Sequence, residues 1–226
     1  MTLNLPKPIL YLITRGATTE ATTPDSQEFR NILRQVAAAV SAGIQLIQIR
    51  EKLLTAQVLF ELTTGVVAVT RGSSSRVLVN DRADIAAGAG ADGVHLTTNS
   101  LAPEVIRRTF GEEFLIGAST HSPAEVNAAR EQGADFAVFG PIFHTSSKDK
   151  YGPPQGPEKL IEAVPESASF PLIALGGISL ENAPECLRAG ASGIAGITLF
   201  GEPATLAATV EAINDLAKTE LKRPEK

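Results

Sequence analysis

Short apolar runs alternate along this chain with segments whose apolar residues recur at helical spacing. Ile9-Leu-Tyr-Leu-Ile13 reads as a strand buried on both faces. Phe29 to Ala42 carries Ile32, Leu33, Val36 and Val40 on one helical face, and Gly43 stands where a helix stops. The same alternation continues through strands at 44–49, 76–79, 93–96, 114–118, 136–139, 171–175 and 193–197. Helices are expected at 55–69, 83–89, 102–110, from Ser122-Pro123 onward, and at 158–163, 180–189 and 203–218. Proline early in the fifth helix does no harm, because the first helical N–H has no internal partner.

Eight strand–helix units result. Near-continuous apolar strands need cover on both faces, which a parallel sheet wrapped by helices supplies. The segments Ala42-Gly43, Gly90-Ala-Asp-Gly93, Gly133-Ala-Asp135 and Gly190-Ala191 recur as helix stops feeding the next strand. The expected fold is a single-domain (β/α)8 TIM barrel spanning residues 1–226, with an open doubly wound sheet as the alternative. The longest irregular stretch, 145–157, follows the sixth strand, where a long loop is usually functional. The tail 219–226 is expected to fray.

Composition narrows the function. At 226 residues the chain has the size of one barrel. Its net charge of −5 argues against a general nucleic-acid surface, so any anion site must be built from a few placed cations. The absence of Trp removes a stacking platform for single strands. One cysteine, Cys186, excludes an internal disulfide and suits a reducing cytoplasm. No signal-like segment opens the chain and no apolar run reaches membrane length, so a cytoplasmic protein is expected. Homo-oligomerisation is left open.

Polar residues cluster where strands end, which in a barrel is the face that carries chemistry. Gln48, Arg50 and Lys52 alternate onto one face at the end of the second strand. They can grip a phosphate, or form a surface salt-bridge cluster with Glu51. Asn80-Asp81-Arg82 ends the third strand, and Asp81 can hold Mg²⁺ or cap the next helix. Asp84 reads as a surface helix residue. Ser119 and His121 follow the fifth strand; the histidine can shuttle protons, or Ser119 or Ser122 can cap the helix while His121 is a polar loop residue. His95, inside a strand, reads as an oriented core residue, and His144 as surface. Thr145, Ser147 and Lys148 make a hydroxyl-rich cationic loop suited to phosphate, or a flexible Ser/Thr loop with no such role. Gly176-Gly177 and Ile197-Thr198 follow strands seven and eight, whose loops often bind phosphate in barrels.

Taken in order, Gln48-Ile-Arg-Glu-Lys52, Val79-Asn-Asp-Arg82, Asp92-Gly-Val-His-Leu96, Gly140-Pro-Ile-Phe143 with Thr145 and Lys148, and Gly176-Gly-Ile178 resemble the thiamine phosphate synthase family and its relatives, the TenI thiazole tautomerases. The resemblance runs from Tyr11 to Phe200. It implies a transferase that joins hydroxymethylpyrimidine diphosphate to a thiazole or carboxythiazole phosphate and releases diphosphate. It further implies that Arg50, Lys52, Asn80 and Lys148, with Gln48 alongside, hold the diphosphate. Asp81 matches one Mg²⁺ ligand, Ser119 a pocket serine, and Thr145, Ser147, Gly177, Ile197 and Thr198 the thiazole-phosphate side. Ser100 stands where the family places a second Mg²⁺-binding Asp, which puts the metal in question. Ser119-Thr-His-Ser122 is similar to the TenI segment with a catalytic histidine. On that alternative His121 moves a proton on a carboxythiazole phosphate without metal. A third alternative is a protein that binds thiazole or thiamine phosphate without catalysis.

Overall fold

A computed structural model describes residues 3, 5–145, 154–164 and 170–220. The strands are β1 (Ile9–Ile13), β2 (Leu46–Ile49), β3 (Arg76–Asn80), β4 (Gly93–Leu96), β5 (Leu115–Thr120), β6 (Phe136–Phe139), β7 (Leu172–Leu175) and β8 (Gly193–Gly196). They pair in parallel, in chain order, and β8 returns to β1 to close the barrel. The helices α1 (Gln27–Ala42), α2 (Ala56–Thr70), α3 (Ala83–Ala89), α4 (Pro103–Phe110), α5 (Pro123–Glu131), α6 (Gly156–Ala163), α7 (Ala183–Arg188) and α8 (Leu206–Glu220) alternate with them. The closed (β/α)8 barrel is therefore the fold, and the open sheet is not.

Strand alternation divides the core in two. Ile9, Tyr11, Ile13, Leu46, Leu78, Phe136, Val138, Ile173 and Ala195 pack together inside the barrel. Leu10, Leu12, Ile47, Ile49, Val77, Val79, Val94 and Ile116 belong to a separate, larger cluster with the helices. Close approach of neighbouring backbones requires glycine along the seams, as at Gly193 and Gly93. A Cβ on Gly193 would lie 2.0 Å from the Ile9 carbonyl oxygen, and one on Gly93 would lie 1.9 Å from that of Leu115.

Several element ends differ from expectation, and local turn chemistry explains them. The second strand begins at Leu46, not at 44. Gly43 adopts φ 82° and donates back to Ala39 and Val40, and Ile44 N–H also bonds Ala39 O, so Ile44 completes the helix stop. The seventh helix begins at Ala183, not at 180. Asn182 Oδ1 accepts the Ser179 N–H at 2.8 Å and holds that stretch as a turn. The eighth helix begins at Leu206, not at 203, after a Thr198–Gly201 backbone turn and a Glu202–Thr205 turn.

The recurrent Gly-Ala-Asp does more than stop helices. Asp92 donates its N–H to Val77 O at 2.9 Å and accepts Val77 N–H on Oδ2 at 2.7 Å. Asp135 does the same to Ile116, at 2.8 and 2.7 Å. Each aspartate thus grips both backbone groups of one residue near the start of the preceding strand. Arg107 of α4 reinforces the second grip. It donates to Asp135 Oδ2 at 2.8 Å and to the carbonyls of Gly111, Glu112, Phe114 and Gly133. Burial pushes the Asp135 carboxyl up from its ordinary value, against the Ile116 amide and the Arg107 guanidinium.

Arg107→Ala leaves a buried carboxylate and several carbonyls with fewer donors. Its expected cost is roughly 3–5 kcal/mol in urea unfolding. Arg107→Lys recovers only part of this, because one ammonium cannot reach the spread of acceptors that the planar guanidinium serves.

Candidate active site at the barrel mouth

The inward alternation of the strands continues into polar side chains at their C-terminal ends. Gln48 follows Leu46 on β2, is buried, and donates Nε2 to Asn80 Oδ1 on β3 at 3.2 Å. Arg50 and Lys52 lie just beyond β2, half-buried and exposed respectively. Arg50 N–H is fixed by Thr14 Oγ1 at 2.8 Å. Among the described residues neither cation forms an ion pair.

The surface salt-bridge cluster with Glu51 does not form. Glu51 is 3% exposed and turns inward. Its carboxylate accepts Gly16 N–H at 3.0 Å, Thr18 N–H at 3.2 Å and Thr18 O–H at 2.7 Å. A buried carboxylate needs such donors. By taking them from the segment after β1, Glu51 ties that loop to the end of β2 and leaves its flanking cations for another anion.

Asp81 sits in the left-handed region at φ 62°, with its N–H bonded to the His95 carbonyl at 2.9 Å. It does not cap α3: the N-cap is Arg82, and no side chain caps that end. Arg82 instead pairs with Asp84 at the surface and holds that carboxyl below its usual range. Asp81 is exposed at the mouth, next to Asn80. Ser100 serves its own turn, accepting Thr97 N–H at 2.8 Å and meeting Thr97 Oγ1 at 3.1 Å. Among the described residues no group of three or more His, Cys, Asp or Glu is placed to hold a metal.

On β5, Ser119 is half-buried and meets His95 Nε2 at 2.9 Å. His95 is buried, as expected of an oriented core residue, and its Nδ1 meets the Tyr11 hydroxyl at 3.2 Å. Ser122, not Ser119, caps α5 by accepting Glu125 N–H at 3.2 Å. Glu125 reaches back to His121 N–H at 2.7 Å. The His121 ring donates Nδ1–H to the Gly140 carbonyl. When the ring is neutral, that bond leaves the lone pair on Nε2.

Opposite lie the loops after β6, β7 and β8. Ile142 N–H bonds Leu175 O and Phe143 N–H bonds Gly176 O, each at 2.9 Å. A Cβ on Gly177 (φ 63°) would lie 2.5 Å from His144 O, so this glycine lets the neighbouring loop approach. Gly177 and Thr198 are exposed, Thr145 and Ile197 half-buried, and Ile197 packs against the inner core. Ser147 and Lys148 lie outside the described residues. Cys186 is remote and buried on α7, and burial pushes its thiol up to about 12. No described helix is long and apolar enough to cross a membrane.

The structure thus brings Gln48, Arg50, Asn80 and Asp81 to the neighbouring ends of β2 and β3, with Ser119 at the end of β5 across β4. Thr14, Glu51 and Tyr11 were not among the expected site residues. Glu51 had a signal, an acid between two cations, but its burial depends on a loop over thirty residues earlier in the chain.

Comparison with known proteins gives the same direction. A thiamine-phosphate synthase of Chlorobium limicola is 39% identical over 79% of this chain and 85% of that protein. One from Haloquadratum walsbyi is 35% identical over 90% of this chain and 93% of its own length. The solved thiamine phosphate pyrophosphorylase of Pyrococcus furiosus superposes with a TM-score of 0.77 at 29% identity, covering 94% of this chain and 96% of that one. Residues 11–200 match the family model described as thiamine monophosphate synthase, and the chain belongs to that family.

Proposed function

We propose that this chain is a thiamine phosphate synthase that joins hydroxymethylpyrimidine diphosphate to a thiazole or carboxythiazole phosphate and releases diphosphate. The observation that carries this reading is the placement of Gln48, Arg50 and Asn80 at adjoining strand ends, in a chain whose relatives carry that name over most of their length. A thiazole tautomerase has no diphosphate to grip.

In this reading the C–O bond of the pyrimidine diphosphate breaks heterolytically and its electron pair leaves with the diphosphate. The thiazole nitrogen then donates its lone pair to the exposed methylene carbon; where the acceptor is the carboxythiazole phosphate, its carboxylate leaves as CO2 and the ring carbon that keeps the bond pair takes up a proton. The barrier falls when charge growing on the leaving group meets fixed cations in a dry site. Arg50 offers a planar two-pronged grip, and Lys52 a compact charge. The Gln48 and Asn80 amides, locked to each other, hold the leaving group's orientation. Lys148 is assigned to the same group from the family resemblance. Thr145, Ser147, Gly177, Ile197 and Thr198 hold the second phosphate.

Mg²⁺ fits in a reduced form. Magnesium is commonly held by one or two carboxylates, waters and substrate phosphates. Asp81 supplies one exposed carboxylate beside Asn80, while the Ser100 oxygen is neutral and accepts within its own turn. When bound, the ion would neutralise part of the diphosphate charge.

A second reading is favoured by one observation. The Gly140 carbonyl fixes the His121 tautomer, which prepares Nε2 as a base for a tautomerase step. The two readings separate on purified protein given hydroxymethylpyrimidine diphosphate and the aromatic carboxythiazole phosphate. The synthase makes thiamine phosphate with Mg²⁺ and none with EDTA, and undiminished product in EDTA would refute the metal's role. Arg50→Ala is expected to lower kcat by about 100-fold or more. Asp81→Ala is expected to abolish turnover at ordinary Mg²⁺. His121→Ala should change the rate less than about threefold when the aromatic tautomer is supplied. A loss confined to the non-aromatic tautomer would assign His121 the proton shuttle. Tight binding of the thiazole phosphate without product would leave a tautomerase or a binding protein.

A further inference from the structure

Inside the barrel, below the mouth, three polar side chains from three strands form a line. Tyr11 of β1 meets His95 Nδ1 of β4 at 3.2 Å, and His95 Nε2 meets Ser119 Oγ of β5 at 2.9 Å. Tyr11 is completely buried. Its hydroxyl has no other hydrogen-bond partner among the described residues. We infer that Tyr11 and His95 are positioning residues that fix the Ser119 hydroxyl as a donor toward a hydrogen-bond acceptor of the bound substrate.

The direction follows from satisfying the phenol. A buried O–H left unpaired costs its full desolvation penalty. Tyr11 therefore donates to Nδ1, and burial, which holds its ionisation well above the ordinary value, keeps that proton in place. A ring nitrogen that accepts carries no proton, so the neutral imidazole bears its proton on Nε2. Nε2–H donates to Ser119 Oγ. The serine oxygen is then an acceptor to the ring, and its own proton is directed elsewhere. Ser119 is half-buried at the end of β5, where the mouth opens. The reverse chain, from Ser119 through His95 to the phenol oxygen, would strand the Tyr11 proton among apolar side chains.

The ring has little room to choose another pose. Tyr11, His95 and Phe136 nest together, with centroids 5.7, 5.7 and 6.2 Å apart. Gly117 lies beside His95 on the next strand. A Cβ there would stand 2.8 Å from Nδ1 and 2.4 Å from Phe136 Cζ. The glycine creates the slot and the rings fill it. Such packing can preset a hydroxyl before substrate arrives, which lowers the ordering cost of binding.

The catalytic part of the inference rests on the synthase reading, but the relay has its own readout. The chain has three histidines, so nitrogen-15 imidazole spectra are simple, and His95→Gln identifies the His95 signals. The relay predicts an Nε2–H tautomer in the wild type and mixed tautomers in Tyr11→Phe. In turnover, Tyr11→Phe should lose about tenfold in kcat/KM. Tyr11→Phe with Ser119→Ala should lose no more than Ser119→Ala alone, because both remove one donor. His95→Gln should retain more activity than His95→Leu, since an amide can accept from Tyr11 and donate to Ser119. A His95 proton on Nδ1 overturns the inference whether or not the protein turns over. So do losses that multiply in the double variant, as two unrelated packing defects would. Absence of turnover with the Nε2–H tautomer intact refutes the synthase reading and leaves the relay standing.

Discussion

The seam between β8 and β1 is the constraint on which the rest of this molecule depends. Its register, Ile9 to Gly193 through Leu12 to Gly196, closes the sheet and removes the two edges an open sheet would expose. It closes only because Gly193 has no Cβ to meet the Ile9 carbonyl. Once closed, every strand has one face inward. That alternation, and not any local preference, sends Tyr11, Gln48, His95 and Phe136 to the interior and Leu10, Ile47, Val94 and Ala137 toward the helices.

The two ends of the barrel use carboxylates in opposite ways. At the strand N-termini, Asp92 and Asp135 grip backbone groups of neighbouring strands and pair with Arg76 and Arg107. Charge there is neutralised within the fold and supports stability. At the C-terminal end, Glu51 is also consumed, by amides and a hydroxyl of the loop after β1. Its satisfaction by neutral donors is what leaves Arg50 and Lys52 without an internal counter-ion among the described residues. A chain of net charge −5 thereby keeps two unpaired cations just beyond β2.

The fold was legible in sequence because its signals are local and repeated. Apolar runs and helix stops located every strand, since a strand buried on both faces shows in its own residues. Errors fell at Ile44, Leu180 and Pro203, where turn hydrogen bonds set the boundary and periodicity does not. The site was legible to the extent that strand ends announce it: Gln48 and Asn80 meet at the ends of β2 and β3, and Ser119 lies at the end of β5. What stayed hidden depends on partners distant along the chain. Glu51 meets Thr18, and Tyr11 meets His95 across a separation of 84 residues. No window of sequence contains both members, and a tyrosine within an apolar run reads as core packing alone.

His95 shows why such pairings matter more than the residue's own chemistry. Its backbone carbonyl accepts the Asp81 N–H and so helps hold that residue at φ 62°, an uncommon conformation for a residue with a side chain. Its ring spans from Tyr11 to Ser119. One buried residue on β4 thus sets the carboxylate end of the β3 loop and the hydroxyl at the end of β5. These are opposite flanks of the same strand, so a shift in β4 register would move both at once. The Thr97–Ser100 turn follows directly, and its hydroxyl pair is closed on itself. That turn is satisfied within itself, and Asp81 is the exposed carboxylate beside Asn80. An arrangement with one carboxylate fixed from behind by a buried strand relies on position where two carboxylates would rely on charge.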